Sequence, residues 1–140
     1  MWFEDVAADL KRQGADILIS PNGSPFHATK SERRLKVART RVKETGLPLI
    51  YVNQIGGQDD LVFDGGSFVM DASGDITHQL SLFEECISPL SNNLVTLPLP
   101  LEQKLYQAVT LGLKDYVHKN GFKGVLIGLS GGIDLSLIHI

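Results

Sequence analysis

Apolar and polar positions alternate between two periods along the first half of the chain. Glu4 to Gln13 carries a helical pattern that Gly14 ends. Asp16 to Ser20 is a short apolar run that reads as a buried strand stopped by Pro21. Thr29 and Glu32 have the spacing of a capping box. A helix therefore opens there and runs to Thr45, with Gly46 as its C-cap and Pro48 beyond. Leu47 to Gln54 is the next predicted strand. Ile55 to Gly66 is rich in glycine and aspartate and reads as a loop. Ser67 to Asp71 and Ile76 to Leu82 flank an Ala-Ser-Gly-Asp turn and predict a hairpin.

Periodicity stops from Cys86 to Pro100, where Ser88-Pro89, Ser91-Asn92-Asn93 and Pro98-Leu99-Pro100 break any regular element. Residues 86–100 read as a linker between a first unit, 1–85, and a second, 101–134. Leu101, Leu105, Ala108, Gly112 and Tyr116 recur at helical spacing, and Asn120-Gly121 closes that helix. Gly124 to Leu129 is apolar and flanked by glycine, the pattern of a strand in a parallel sheet. One helix and one strand bury no core, so the second unit reads as the beginning of a domain. The class is α/β.

Composition narrows the function. Of the 140 residues, 43% are apolar and 21% charged, with a net charge of −3. That balance offers no overall attraction to nucleic acid or an anionic membrane. No apolar run reaches the roughly 20 residues of a membrane span. Glu4, Asp5 and Asp9 do not fit a signal peptide, so a cytoplasmic location is expected. A single cysteine excludes an internal disulfide, and the scattered His27, His78 and His118 do not form a zinc site.

Candidate chemistry concentrates at the end of the chain. Gly128-Leu129-Ser130-Gly131-Gly132-Ile133-Asp134 follows the predicted strand. Ser-Gly-Gly lets several backbone N–H groups converge on one concavity, a nest for phosphate oxygens. Asp134 adds a carboxylate suited to a Mg2+ ion that itself holds phosphate. The alternative is a glycine turn with a helix-capping Asp.

A second candidate lies in the first unit. Pro21 to His27 joins a strand to a helix, the place where α/β sheets hold ligands. Ser24 supplies a hydroxyl, and Lys30 a cation at a helix start, where it opposes the helix dipole. A turn with a solvated lysine is the alternative. Lys30 to Lys43 holds seven of the thirteen basic residues, but these spread around the helix while Leu35, Ala38 and Val42 form one stripe. No aromatic residues interleave them, so this is a solvated face and not a nucleic-acid platform. Cys86 follows Glu84 and Glu85 at the edge of the linker, with no strand-to-helix elbow, and reads as incidental. His27 reads as a loop or packing residue, and His78 and His118 as exposed.

Four blocks together carry a family resemblance. Pro21 to His27, Tyr51 to Asp60 and Val62 to Ser67 resemble the nitrilase-type (carbon–nitrogen hydrolase) glutaminase domain of glutamine-dependent NAD+ synthetases. Ser130 to Asp134 resembles the pyrophosphate loop of ATP pyrophosphatases, which in these enzymes follows the glutaminase. The resemblance covers Met1 to Leu82 and Leu101 to Asp134. It breaks at Leu135, where the family has Ser. Residues 135–140 are one translation of a common transposase-based sequencing adapter, so a non-native tail is expected there.

The resemblance implies the C-terminal part of an α-β-β-α nitrilase sandwich. The first helix and strand of a Rossmann-like ATP pyrophosphatase domain would follow. It implies a Glu–Lys–Cys glutaminase whose cysteine lies just upstream of the segment aligned with Met1-Trp2-Phe3, so no residue here takes a catalytic role. Ser24 and Lys30 correspond to residues that hold glutamine, and Trp2 lines the same pocket. The parent enzyme would use ATP and Mg2+ to adenylate deamido-NAD+. Ammonia from glutamine would then displace AMP, in a large homo-oligomer with no nucleic-acid or membrane partner. Two other readings stay open: a nitrilase-type amidase fused to another adenylating unit, and a non-catalytic binding module.

Overall fold

A computed structural model describes residues 4–91 and 93–128. The chain runs α1 (Glu4–Arg12), β1 (Leu18–Asn22), α2 (Lys30–Thr45), β2 (Leu49–Asn53), β3 (Ile55–Gln58), β4 (Leu61–Asp64), β5 (Phe68–Met70), β6 (Ile76–Gln79), β7 (Leu94–Val95) and α3 (Leu101–Lys119). Five strands form one sheet in the order β1-β2-β5-β6-β7, and β3-β4 form a separate hairpin. β1 and β2 are parallel, and β5 runs antiparallel to β2. Among the described residues no helix is long and apolar enough to cross a membrane.

Strand alternation sorts the main sheet into two apolar faces. Leu18, Leu49, Tyr51, Phe68 and Met70 are buried beneath Ala7 of α1 and Ala38 and Val42 of α2. Tyr51 and Phe68 stack in parallel, 4.8 Å between centroids. The opposite face carries Ile19, Ile50 and Val69 in register, with Val52 beside them. There Ile19 is 63% and Val52 46% exposed.

Several expectations shift. β1 is not a fully buried strand ending before Pro21; it runs through Pro21 to Asn22. It can do so because it is the edge strand, where a missing N–H leaves no ladder bond unmade. α2 keeps Gly46 as a left-handed C-cap, φ 67°, but Thr29 makes no side-chain cap bond. The Thr29 hydroxyl lies instead 3.3 Å from His27 Nδ1, so the capping box is not formed.

The stretch expected as a loop, Ile55 to Gly66, folds into the β3-β4 hairpin. Gly56 and Gly57 hide it from strand propensity. His78, expected to be exposed, is buried at 5% because β7 pairs along β6 and makes it an inner strand. Apart from β7, residues 86–91 and 93–100 are irregular.

α3 forms as its periodicity predicts. The strand expected at Gly124 to Leu129 does not form over its described part. Residues 124–128 are irregular, with Val125, Leu126 and Ile127 exposed, since no neighbouring strand pairs with them.

Candidate functional site

The carboxyl ends of β1 and β2 lie side by side, Asn22 opposite Asn53, and the Gly23–Thr29 loop crosses from there to α2. A buried polar network fixes that loop. Asn53, 7% exposed, accepts from the Ser24 amide through Oδ1 at 2.9 Å. Its Nδ2 donates to the Ser24 carbonyl at 3.1 Å and the Gly65 carbonyl at 3.1 Å. Arg34 reaches up from α2. Its Nε donates to Ser24 Oγ at 3.2 Å, and its Nη2 to the carbonyls of Ser24 at 2.7 Å and Pro25 at 3.1 Å.

Asp64, at the end of β4, completes the arrangement. Arg34 Nη1 donates to Asp64 Oδ2 at 2.9 Å, and Nη2 lies 2.8 Å from Oδ1. Both side chains are almost wholly removed from water, 4% and 1% exposed. The planar fork of arginine matches a carboxylate in this two-point geometry. Gly65 and Gly66 follow with φ of 63° and 62°, and a Cβ on Gly66 would sit 2.6 Å from Leu82. Glycine is required there for the chain to leave Asp64 and enter β5.

Tyr51 lies beneath this network, its hydroxyl buried without a hydrogen-bond partner among the described residues. Burial pushes its phenol above the ordinary value, opposed by the nearby Ser24 side chain and the Arg34 guanidinium.

Ser24 and Lys30 do come together. They line one open cleft of about 340 Å3 with Asn22, Gly23, Pro25 and Arg33. Among the described residues no ion pair engages Lys30, so its ammonium is available to a ligand. The Ser24 hydroxyl accepts from Arg34 and keeps its own proton to donate. The cleft thus offers a hydroxyl and a cation with a rigid floor. A larger cleft of about 510 Å3 borders Arg34, Gly66 and Gln107 and contains neither Ser24 nor Lys30. His27 and Cys86 are exposed.

Arg34, Asn53 and Asp64 are the residues sequence reasoning passes over. Arg34 was hidden in the basic run expected to be solvated. That expectation is corrected for Arg34 and Arg41, both buried. A signal existed: Arg34, Ala38, Arg41, Val42 and Thr45 share one helical stripe. Ser130, Gly131, Gly132, Ile133 and Asp134, with Leu129, lie outside the described residues, as do Trp2 and residues 135–140. Gly128 is described, exposed and irregular.

The family model for carbon–nitrogen hydrolase matches residues 1–96, most of the chain. The chain belongs to the carbon–nitrogen hydrolase family. The NAD synthase model matches residues 105–140. The chain is 44% identical to a glutamine-dependent NAD(+) synthetase of Rhodobacter capsulatus, over 99% of this chain and 27% of that protein. It is 41% identical to one from Synechocystis, over 93% of this chain and 25% of that protein. A solved glutamine-dependent NAD+ synthetase from Acinetobacter baumannii, in complex with adenosine diphosphate, superimposes with a TM-score of 0.85 at 34% identity. It covers 98% of this chain and 28% of that one. The chain therefore spans about a quarter of the length of these relatives.

Proposed function

We propose that this chain is the junction of a longer glutamine-dependent NAD+ synthetase: the end of a glutaminase domain joined to the beginning of a synthetase domain. The observation that carries this is the succession of the two family matches, residues 1–96 and 105–140, in one chain. The apolar face of Ile19, Ile50, Val52 and Val69, on which Ile19 and Val52 are exposed, supports it, because a two-sheet sandwich needs such a face for its second sheet. On this reading the units are residues 1–85 and 101–134, with 86–100 linking them. Residues 135–140 are a non-native tail, which sequencing the source DNA across codon 135 tests.

In that enzyme, Ser24 and Lys30 hold the glutamine donor. The Ser24 hydroxyl donates to an amide or carboxylate oxygen, and Lys30 pairs with the carboxylate. Arg34, Asp64 and Asn53 keep the loop rigid, so little ordering is left to occur on binding. Amide cleavage releases ammonia. ATP, held with Mg2+, supplies the adenylation that turns the deamido-NAD+ carboxylate oxygen into a good leaving group. Gly128 to Asp134 would hold the phosphates and Asp134 the metal. The parent enzyme would be a homo-oligomer working in the cytoplasm.

The full-length enzyme tests this. Ser24→Ala and Lys30→Ala each remove a charge-assisted hydrogen bond, about 1.5–3 kcal/mol, a roughly 10- to 150-fold loss of glutamine kcat/KM. NAD+ formation from ammonium should keep its wild-type rate. Equal losses with both nitrogen donors would make the two residues structural.

A further inference from the structure

The β3-β4 hairpin is held between two things that the family matches assign to different units. On one side lies α3. Asp115 Oδ2 accepts from the Gly57 amide at 2.7 Å, and Lys119 Nζ donates to the Gly57 carbonyl at 2.6 Å. The approach is close enough that a Cβ on Gly57 would meet the Gly112 Cα at 3.0 Å, and one on Gly112 would meet Val62 Cγ2 at 3.0 Å. On the other side lies the ligand loop. The Phe26 amide donates to the Val62 carbonyl at 2.6 Å, and Pro25 bridges to Phe63. Two residues after Val62 stands Asp64, which holds Arg34 and through it Ser24.

Val62 therefore touches α3 with its side chain and the ligand loop with its carbonyl. β4 is only four residues long, and among the described residues its one partner strand is β3. At its C-terminal end, Asn53 of β2 donates to Asp64 at 3.3 Å and to the Gly65 carbonyl at 3.1 Å. Away from that end, at Val62, its place is set by α3 on one side and by the Phe26 amide on the other.

We propose that α3, through Gly112 and Asp115, sets the position of the hairpin and hence of the Pro21–His27 loop. Gly112, Asp115 and Val62 are positioning residues for the amide donor. The inference rests on the reading that this loop holds glutamine. A displacement of β4 by a few tenths of an ångström moves Val62 O against Phe26 and Asp64 against Arg34, so the Ser24 hydroxyl shifts relative to Lys30. The synthetase helix thereby acts on the donor pocket without touching the donor.

The test uses the full-length enzyme and two readouts. Gly112→Ala should raise the KM for glutamine about tenfold, short of the roughly hundredfold loss that a full ångström's misplacement can bring. The ammonium-driven rate should stay within about twofold, since no group that holds ATP or ammonia has moved. Val62→Ala in the same protein removes the collision and should restore the glutamine KM. Should Gly112→Ala fail to fold, Asp115→Ala should raise the same KM, with Asp115→Asn between it and wild type because the amide oxygen still accepts from Gly57. Hydrogen exchange at the Phe26 amide is read independently of activity and should speed up in Gly112→Ala and recover with Val62→Ala. Unchanged Phe26 exchange, an unchanged glutamine KM, equal losses with both donors, or no recovery on Val62→Ala overturns the proposal. A wild-type enzyme that makes no NAD+ from either donor overturns the function reading instead, and the exchange data then decide the positioning alone.

Discussion

Removing the Asp64 carboxylate should be among the most damaging single changes in the first unit. Asp64→Ala leaves the Arg34 guanidinium buried, 4% exposed, with no counter-charge at Nη1. Taking one partner from a buried ion pair costs about 3–5 kcal/mol. The expected value is near the lower end, because Arg34 keeps three other acceptors: Ser24 Oγ and the carbonyls of Ser24 and Pro25. Asn53 loses only a long contact, 3.3 Å, and keeps the carbonyls of Ser24 and Gly65. A loss of about 3 kcal/mol is a large share of the 5–15 kcal/mol that holds a typical domain folded.

Urea unfolding of the 140-residue chain, followed by circular dichroism, reads this as a lowered midpoint at unchanged slope. The double variant Arg34→Met with Asp64→Leu separates the two roles of the pair. It removes both charges and fills the space, so stability should return close to wild type. In the full-length enzyme the same double variant should still bind glutamine poorly, since the Ser24 hydroxyl has lost the Arg34 donor that orients it while Asn53 holds only the backbone. A cost below about 1 kcal/mol for Asp64→Ala, as for solvated surface pairs, would refute the reasoning. So would a double variant no more stable than the single.

Three further outcomes are expected. Burial alone would raise the Asp115 carboxyl, but the Gly57 amide and Lys119 outweigh it and hold it below its ordinary value. A lowered folded pKa contributes stability above the unfolded value of about 3.9, lost as pH falls through the folded one. Protection of the Gly57 amide should therefore fall below pH 4 in wild type and stay flat in Asp115→Asn, as hydrogen exchange would show. In the isolated chain, Ile19→Lys with Val52→Lys should reduce self-association, because these side chains face solvent on an apolar sheet. Light scattering that shows equal association in both proteins would contradict this. In the full-length enzyme, Asp134→Asn should lower NAD+ synthesis with either donor by at least tenfold while glutamine hydrolysis persists, because an amide cannot match a carboxylate's charge at a metal. Full activity in the variant would remove Asp134 from the metal site.

The main sheet was legible because its signals are local. Gly46 after a helical stripe, the apolar run Leu47 to Gln54 before a glycine-rich stretch, and the Ala-Ser-Gly-Asp turn each mark one element, the second strand beginning two residues later than expected, at Leu49 after Pro48. The hairpin of Ile55 to Asp64 was not legible, because Gly56 and Gly57 have little strand propensity of their own. A Cβ on Gly57 would meet Gly112 Cα of α3 at 3.0 Å, a contact between residues 57 and 112 that no window of neighbours contains. The burial of His78 was missed for a related reason: β7 is two residues long and pairs with β6 across an irregular stretch. Ser24 and Lys30 stand out in the sequence because a strand-to-helix loop is a recognisable place, and the structure puts both on one cleft. Arg34 was not, because a buried arginine looks like a solvated one until its partner, thirty positions on, is known.

That difference bears on how the site works. On the proposed reading, what suits Ser24 to a ligand is that its position is fixed before the ligand arrives. Fixing it takes Asn53 from β2, Arg34 from α2 and Asp64 from the hairpin, three elements that meet only in the folded chain. A buried ion pair is weak evidence for stability, since well-packed apolar residues do as well or better. Its use here is directional. The guanidinium donates along fixed lines to Ser24 Oγ, Ser24 O and Pro25 O, and no apolar replacement can hold a hydroxyl at a chosen angle. The same fork ties the loop to β4, and β4 is the strand that α3 touches. The group that orders the candidate donor site is thus also the one through which movement of α3 would reach it.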